Sequence, residues 1–147
     1  LNVYNFDLSV RTYGTFGNDI FRGYERNLNY TNKPVSILAR WTGEGTSNFE
    51  PRATFIDSNN NVRPSTRYVE DGSYFKIKNV QVGYNFNVSN SKSLDAVRLY
   101  LQGNNLMTFT DYTGYDPEMS YGVLDTGIDR GNYPSARTVS VGLNVKF

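Results

Sequence analysis

From Thr138 to Phe147 the sequence reads TVSVGLNVKF, and its character alternates without a slip. Val139, Val141, Leu143, Val145 and Phe147 fall on one face of an extended chain, and Thr138, Ser140, Gly142, Asn144 and Lys146 on the other. Successive side chains of a β-strand point to opposite faces, so a period of two specifies a strand with one apolar and one polar side. The pattern recurs three times. YNFDLSVRTYGTF sets Tyr4, Phe6, Leu8 and Val10 against Asn5, Asp7, Ser9 and Arg11. AVRLYLQGNNLMTFT sets Val97, Leu99 and Leu101 against Arg98, Tyr100 and Gln102. SYFKIKNVQVGYNF changes phase: Phe75 and Ile77 share one parity, and Val80, Val82, Tyr84 and Phe86 share the other. One extra residue near Lys78 and Asn79, a β-bulge, produces such a slip.

The four strands are joined unequally. NVSNSKSLD, between the second and third, is a short polar turn, whereas the other connections run over Asn18–Gly72 and Asp111–Arg137. A compact soluble sandwich rarely carries structureless connections longer than about 15 residues. Transmembrane β-barrels have short periplasmic turns and long extracellular loops. With the short turn placed on the periplasmic side, Tyr4, Phe6, Tyr84, Phe86 and Phe147 fall at one level, as an interfacial girdle requires.

A mean hydropathy of −0.54 and the lack of a long apolar run exclude a transmembrane helix. They are compatible with barrel strands, which alternate lipid-facing apolar with lumen-facing polar residues. The lumen-facing set then includes Arg11, Arg98, Tyr100, Gln102, Asn144 and Lys146. The expected fold is all-β: the last four antiparallel strands of a large transmembrane β-barrel with long extracellular loops. Within the first loop, PVSILARWTG predicts one short helix, with Pro34 in its first turn, Ile37, Leu38 and Trp41 on one face and Gly43 as its stop.

Composition narrows the chemistry. The 147 residues include no Cys and no His, which excludes disulfides, Cys/His zinc sites and every catalytic device built on an imidazole. A formal charge of +1 gives no footing for a nucleic-acid partner. DSNNNV places Asp57, Asn59 and Asn61 at the first three ligand spacings of a calcium loop. Val62 and Tyr68 then stand where glycine and a bidentate glutamate belong, so a polar turn is the better reading. GEGTSN lacks both the third glycine and the preceding strand of a dinucleotide fingerprint. Asp116 and Glu118 in YDPEMS are close enough for an acid–base pair, but Pro117 between them points to a rigid turn. Neither an enzyme nor a bound cofactor or metal is expected.

Three blocks, EDGSYFKIKNVQVGYNF, VRLYLQGNNLMTFTDYTGYDPEMS and GIDRGNYPSARTVSVGLNVKF, resemble in order and spacing the C-terminal end of the SusC/RagA family of TonB-dependent outer-membrane transporters. FDLSVRTYGTFGNDIF, ILARWTGEGTS and PRATFIDSNNNVRPSTRYVEDGSY extend the resemblance over nearly the whole chain. It implies a barrel of about 22 strands with a plugged lumen, of which residues 1–147 would be one part, without the plug and the earlier strands. It further implies the outer membrane of Bacteroidota, import of glycans or peptides energised by TonB, and a SusD-like surface lipoprotein as a lid. Trp41, Tyr115 and Tyr121 are the expected lid contacts. Val141, Leu143, Val145 and Phe147 resemble the signal that the outer-membrane insertion machinery reads on a final strand. Two readings stand beside this one: a passive outer-membrane porin or adhesin barrel, and a soluble β-rich carbohydrate-binding module favoured by the 15% aromatic content.

Overall fold

The computed structural model describes residues 1–27, 35–88, 93–119 and 126–147. Its strands in chain order are β1 (Asn2–Val3), β2 (Phe6–Thr15), β3 (Asp19–Arg22), β4 (Val69–Asp71), β5 (Tyr74–Phe86), β6 (Ala96–Thr110), β7 (Ile128–Asp129) and β8 (Thr138–Lys146). The four alternating segments form four neighbouring strands. With β1 they make an antiparallel sheet of order β1-β2-β5-β6-β8, open at both outer edges. The long strands have 10, 13, 15 and 9 residues, enough for a tilted crossing of a bilayer, which needs about 9–11.

Register aligns the alternation of each strand with that of its neighbours. One rung runs Leu8, Val82, Leu101, Val141, and the next runs Phe6, Tyr84, Leu99, Leu143. Residues opposite one another in a ladder share a face, so the apolar sides of all four strands merge into one surface. The phase slip in β5 is a bulge. Pairing jumps from Ile77 to Asn79 against both neighbours and leaves Lys78 outside the ladder. On β6 the same irregularity spans Asn105, whose φ is 50°. Beyond the bulge Phe75 and Ile77 rejoin the apolar face, opposite Phe109 and Met107.

A second, smaller sheet was not legible in the sequence. β3 lies at its centre, antiparallel to β4 and parallel to β7, so the bases of both long loops are hydrogen-bonded to each other. Its strands have only two to four residues and pair over long sequence separations, which leaves no periodic signal. The buried apolar side chains Ile20, Tyr68, Tyr74 and Tyr112 gather here and at the adjoining end of the long strands. The bases of the two long loops therefore have a core of their own.

Two expectations need correction. The helix expected over PVSILARWTG is a 3-10 turn at Val35–Ala39, with Pro34 outside the described residues. Five residues are too few to nucleate a stable α-helix, and Val35 and Leu38 are exposed rather than packed on a shared face. Tyr4 does not begin a strand either. With Asn5 it forms the tight turn between β1 and β2, at a φ of 53°.

Candidate functional site: a membrane wall and the loops above it

The apolar face of the large sheet is covered by nothing among the described residues. Val141 is 71% exposed and Leu143 60%, and Phe6, Val10, Leu99 and Leu101 are exposed with them. Soluble proteins rarely leave so large a contiguous apolar surface in water. Aromatic residues band this face at both ends. Phe6 and Tyr84 have ring centroids 4.8 Å apart and Tyr84 and Phe86 4.9 Å, at the end bearing the β1–β2 turn and Phe147. At the other end Phe75 and Phe109 lie 6.3 Å apart. Tyr84 and Phe75 are nine residues apart on β5, roughly 30 Å along a strand at about 3.3 Å per residue. At the usual barrel tilt of about 35–45° that projects to roughly 21–25 Å, close to the lipid-facing band of outer-membrane barrels.

The opposite face is polar and internally bonded. Arg11, Arg98, Tyr100, Gln102, Asn144 and Lys146 all lie on it, though in separate groups. Arg98 Nε donates to Asp7 Oδ1 at 2.9 Å, spanning from β6 to β2 across β5. The bridge crosses at Gly83, where an added Cβ would lie 2.6 Å from Arg98 Nη2, so a larger residue would push the bridge aside. Arg98 also sits 5.2 Å from the Tyr100 ring centroid. That ring lies over Gly142 of β8, whose Cβ would meet Tyr100 Cε1 at 2.5 Å. Gln102 donates to Asn104 at 3.0 Å. Lys146 is exposed, 3.9 Å from an equally open Asp95. Phe147 lies just past β8 and is exposed.

Asp116 and Glu118 are salt-bridge partners rather than a catalytic pair. Lys76, 2% exposed on the polar side of β5, donates to Asp116 Oδ2 at 3.0 Å and to Glu118 Oε2 at 2.8 Å. Lys78, displaced by the bulge, pairs with Glu118 as well. Two cations from one strand thus hold the second loop against the wall. Two lysines on the polar parity of one strand, just before its phase slip, were the available signal, but nothing local named their partners. A second anchor follows immediately: Tyr112 donates its hydroxyl proton to Asp129 at 2.6 Å, and Asp129 also accepts from the Gly131 amide at 2.7 Å. Burial, together with that carboxylate, pushes the Tyr112 phenol up, so it stays a donor.

Asp57 folds a polar turn. Its oxygens accept from Asn61 Nδ2 at 3.0 Å and from the Val62 amide at 3.1 Å, and no metal-binding cluster occurs among the described residues. In GEGTSN, Thr46 closes a turn on Gly43. Of the expected lid contacts, Trp41 lines a cleft in the first loop, and exposed Tyr115 lies 6.0 Å from Tyr24. Tyr121 lies outside the described residues.

A sheet with an uncovered apolar face between two aromatic bands, a polar opposite face and both long loops at one end is a strip of transmembrane β-barrel wall. No family model matches the chain. It is 36% identical to TonB-dependent receptor P3 of Formosa agariphila, over 100% of this chain and 15% of that receptor. With the TonB-dependent receptor SusC of Bacteroides thetaiotaomicron it shares 27% identity, over 97% of this chain and 14% of the other. A solved structure of the RagAB peptide transporter has the same fold over 97% of this chain and 16% of its own, at a TM-score of 0.75 and 22% identity. The chain is a barrel segment of a SusC/RagA-type TonB-dependent receptor, and its place is the bacterial outer membrane. It spans about one seventh of the length of the relatives it matches.

Proposed function

We propose that this strip is part of the wall of an outer-membrane importer that takes up glycans or peptides, is energised by TonB and is capped by a SusD-like surface lipoprotein. The end-to-end likeness to TonB-dependent receptors carries the reading. The wall agrees with it: the apolar face would meet lipid and the polar face, with Arg11, Arg98, Tyr100, Gln102, Asn144 and Lys146, would line the lumen. Neighbouring strands supplied from outside residues 1–147 would close the open edges, since an unpaired edge in lipid is costly. TonB would engage a part of the receptor outside this segment, and the lid would rest on the two loops, with Trp41 and Tyr115 among its contacts.

The alternative, a passive porin or adhesin, differs in two measurable ways. The full-length receptor is expected to copurify with a surface lipoprotein and to show no steady conductance in a planar bilayer. An open, ohmic pore without a lipoprotein would establish the alternative.

The terminal strand would have a second role during assembly. Val141, Leu143, Val145 and Phe147 present alternate apolar side chains on a strand with a free edge, the arrangement that β-augmentation uses. The insertion machinery would read them, after which Phe147 would settle in the lower aromatic band. Phe147→Ala is expected to slow assembly several-fold, so that precursor accumulates in the periplasm while the barrel that forms keeps its heat resistance. A normal assembly rate with a lower melting temperature would mean that Phe147 serves only in the aromatic band.

A further inference from the structure

The first loop contains a cleft that neither the membrane wall nor the loop anchors use. Its volume is about 620 Å³, within the range of small-molecule sites, and Trp41, Phe49, Arg52, Asn59 and Arg63 are among its lining residues. Its floor is built in advance. Arg67 donates to Glu50 at 2.6 Å and places its guanidinium 5.7 Å from the Phe49 ring centroid and 5.5 Å from that of Tyr68. The Trp41 amide donates to the Glu50 carbonyl at 2.9 Å, which pins the indole's backbone to the same floor.

The charges of the cleft are unevenly satisfied. Glu50 is taken by Arg67, and both Asp57 oxygens are occupied by its own turn. Arg52 and Arg63, both exposed, have no side-chain partner among the described residues. Two free guanidinium forks beside a partly open indole, 37% exposed, and an exposed Phe49 call for a ligand with anionic groups and flat apolar faces. Guanidinium groups bind carboxylates bidentately. The C–H face of a pyranose is apolar and lies flat on an aromatic ring, whose π face is negative. An acidic peptide meets the charge requirement as well. However, the cleft-lining residues form turns and irregular chain, with no strand edge for a peptide backbone to extend.

We propose that this cleft binds an acidic glycan, with a uronate carboxylate on Arg52 and Arg63 and a sugar ring stacked on Trp41. The inference rests on the reading of the protein as an importer and adds the substrate class. It is tested by calorimetry on the full-length receptor in detergent, with tetragalacturonate, neutral maltotetraose and tetraglutamate as probes. Tetragalacturonate is expected to bind most tightly and to weaken with added salt. Arg52→Ala and Arg63→Ala are each expected to weaken it roughly tenfold or more, as loss of a hydrogen bond to a charged group does. Trp41→Ala is expected to weaken both sugars. Heat-modified migration reports whether each variant is folded, and the three-probe comparison on the unaltered receptor decides the matter if one is not. Equal binding of maltotetraose, tighter binding of tetraglutamate, or unchanged affinity in the arginine variants would each overturn the proposal. A Trp41→Ala receptor that loses its lipoprotein but keeps tetragalacturonate would also overturn it, leaving the importer reading intact. Steady conductance with tetragalacturonate binding retained would sink the importer reading alone.

Discussion

Replacing Lys76 by methionine is expected to release the second extracellular loop from the barrel wall, at a cost of about 3 kcal/mol. Removing one partner of a buried ion pair costs about 3–5 kcal/mol, because the remaining charge is left without compensation. The lower end applies because Asp116 and Glu118 retain 15% and 25% side-chain exposure and regain water once the loop lifts. Methionine keeps most of the lysine stem's volume, so the loss is electrostatic rather than a cavity. The clamp also has a pH limit. Burial pushes the Glu118 carboxyl up, but hydrogen bonds from Lys76 and Lys78 outweigh it and hold the group below its usual range. A carboxyl lowered in the folded state stabilises fully above its unfolded pKa, and that contribution is lost as pH falls through the folded value. The native loop should therefore stay docked at neutral pH and loosen only in acid, below the ordinary glutamate range. Protease cleavage within 111–137 on intact cells reads both effects: Lys76→Met should be cut readily at pH 7 and the unaltered protein should not. Equal resistance would show that Lys76 does not hold the loop.

The second large effect separates the two faces of the terminal strand. Val139→Arg should lower the stability of the folded barrel by roughly 2–4 kcal/mol, the cost of a lipid-facing arginine near the bilayer midplane, since Val139 shares a rung with Val10 and Val80, midway between the two aromatic bands. Ser140→Arg, the next residue on the polar face, should cost little. Ser140 suits the comparison better than Asn144, because Asn144 stands opposite Arg98 in the ladder and a second cation there would be repelled. The yield of heat-resistant barrel measures both. Similar losses for the two would contradict the assignment of faces.

The four long strands were legible because half-buried strands keep a strict period of two, and the bulge at Lys78 was legible as the one break in that period. What could not be read depended on partners distant in sequence. β3, β4 and β7 are too short to carry a pattern, and their pairing depends on the bases of two loops meeting. Asp116 and Glu118 read as a rigid turn around Pro117, and their lysine partners, some 40 residues away, left no local trace. The 3-10 turn at Val35–Ala39 failed as a helix for a different reason: Leu38 has the right spacing, but the described chain offers it nothing to pack against. Gly83 and Gly142 gave no signal as gaps in an alternating strand. Each is small because a neighbour's side chain, Arg98 or Tyr100, crosses over it.

The assignment of one face to lipid and the other to the lumen is tested most directly by placing a fluorophore through Val141→Cys and, separately, through Ser140→Cys in the full-length receptor reconstituted in vesicles. A barrel wall requires the probe at 141 to be quenched by brominated lipid chains and ignored by aqueous iodide. The probe at 140, one residue away on the opposite face, should show the reverse. Iodide reaching both positions equally, with no quenching from the lipid, would contradict a transmembrane wall.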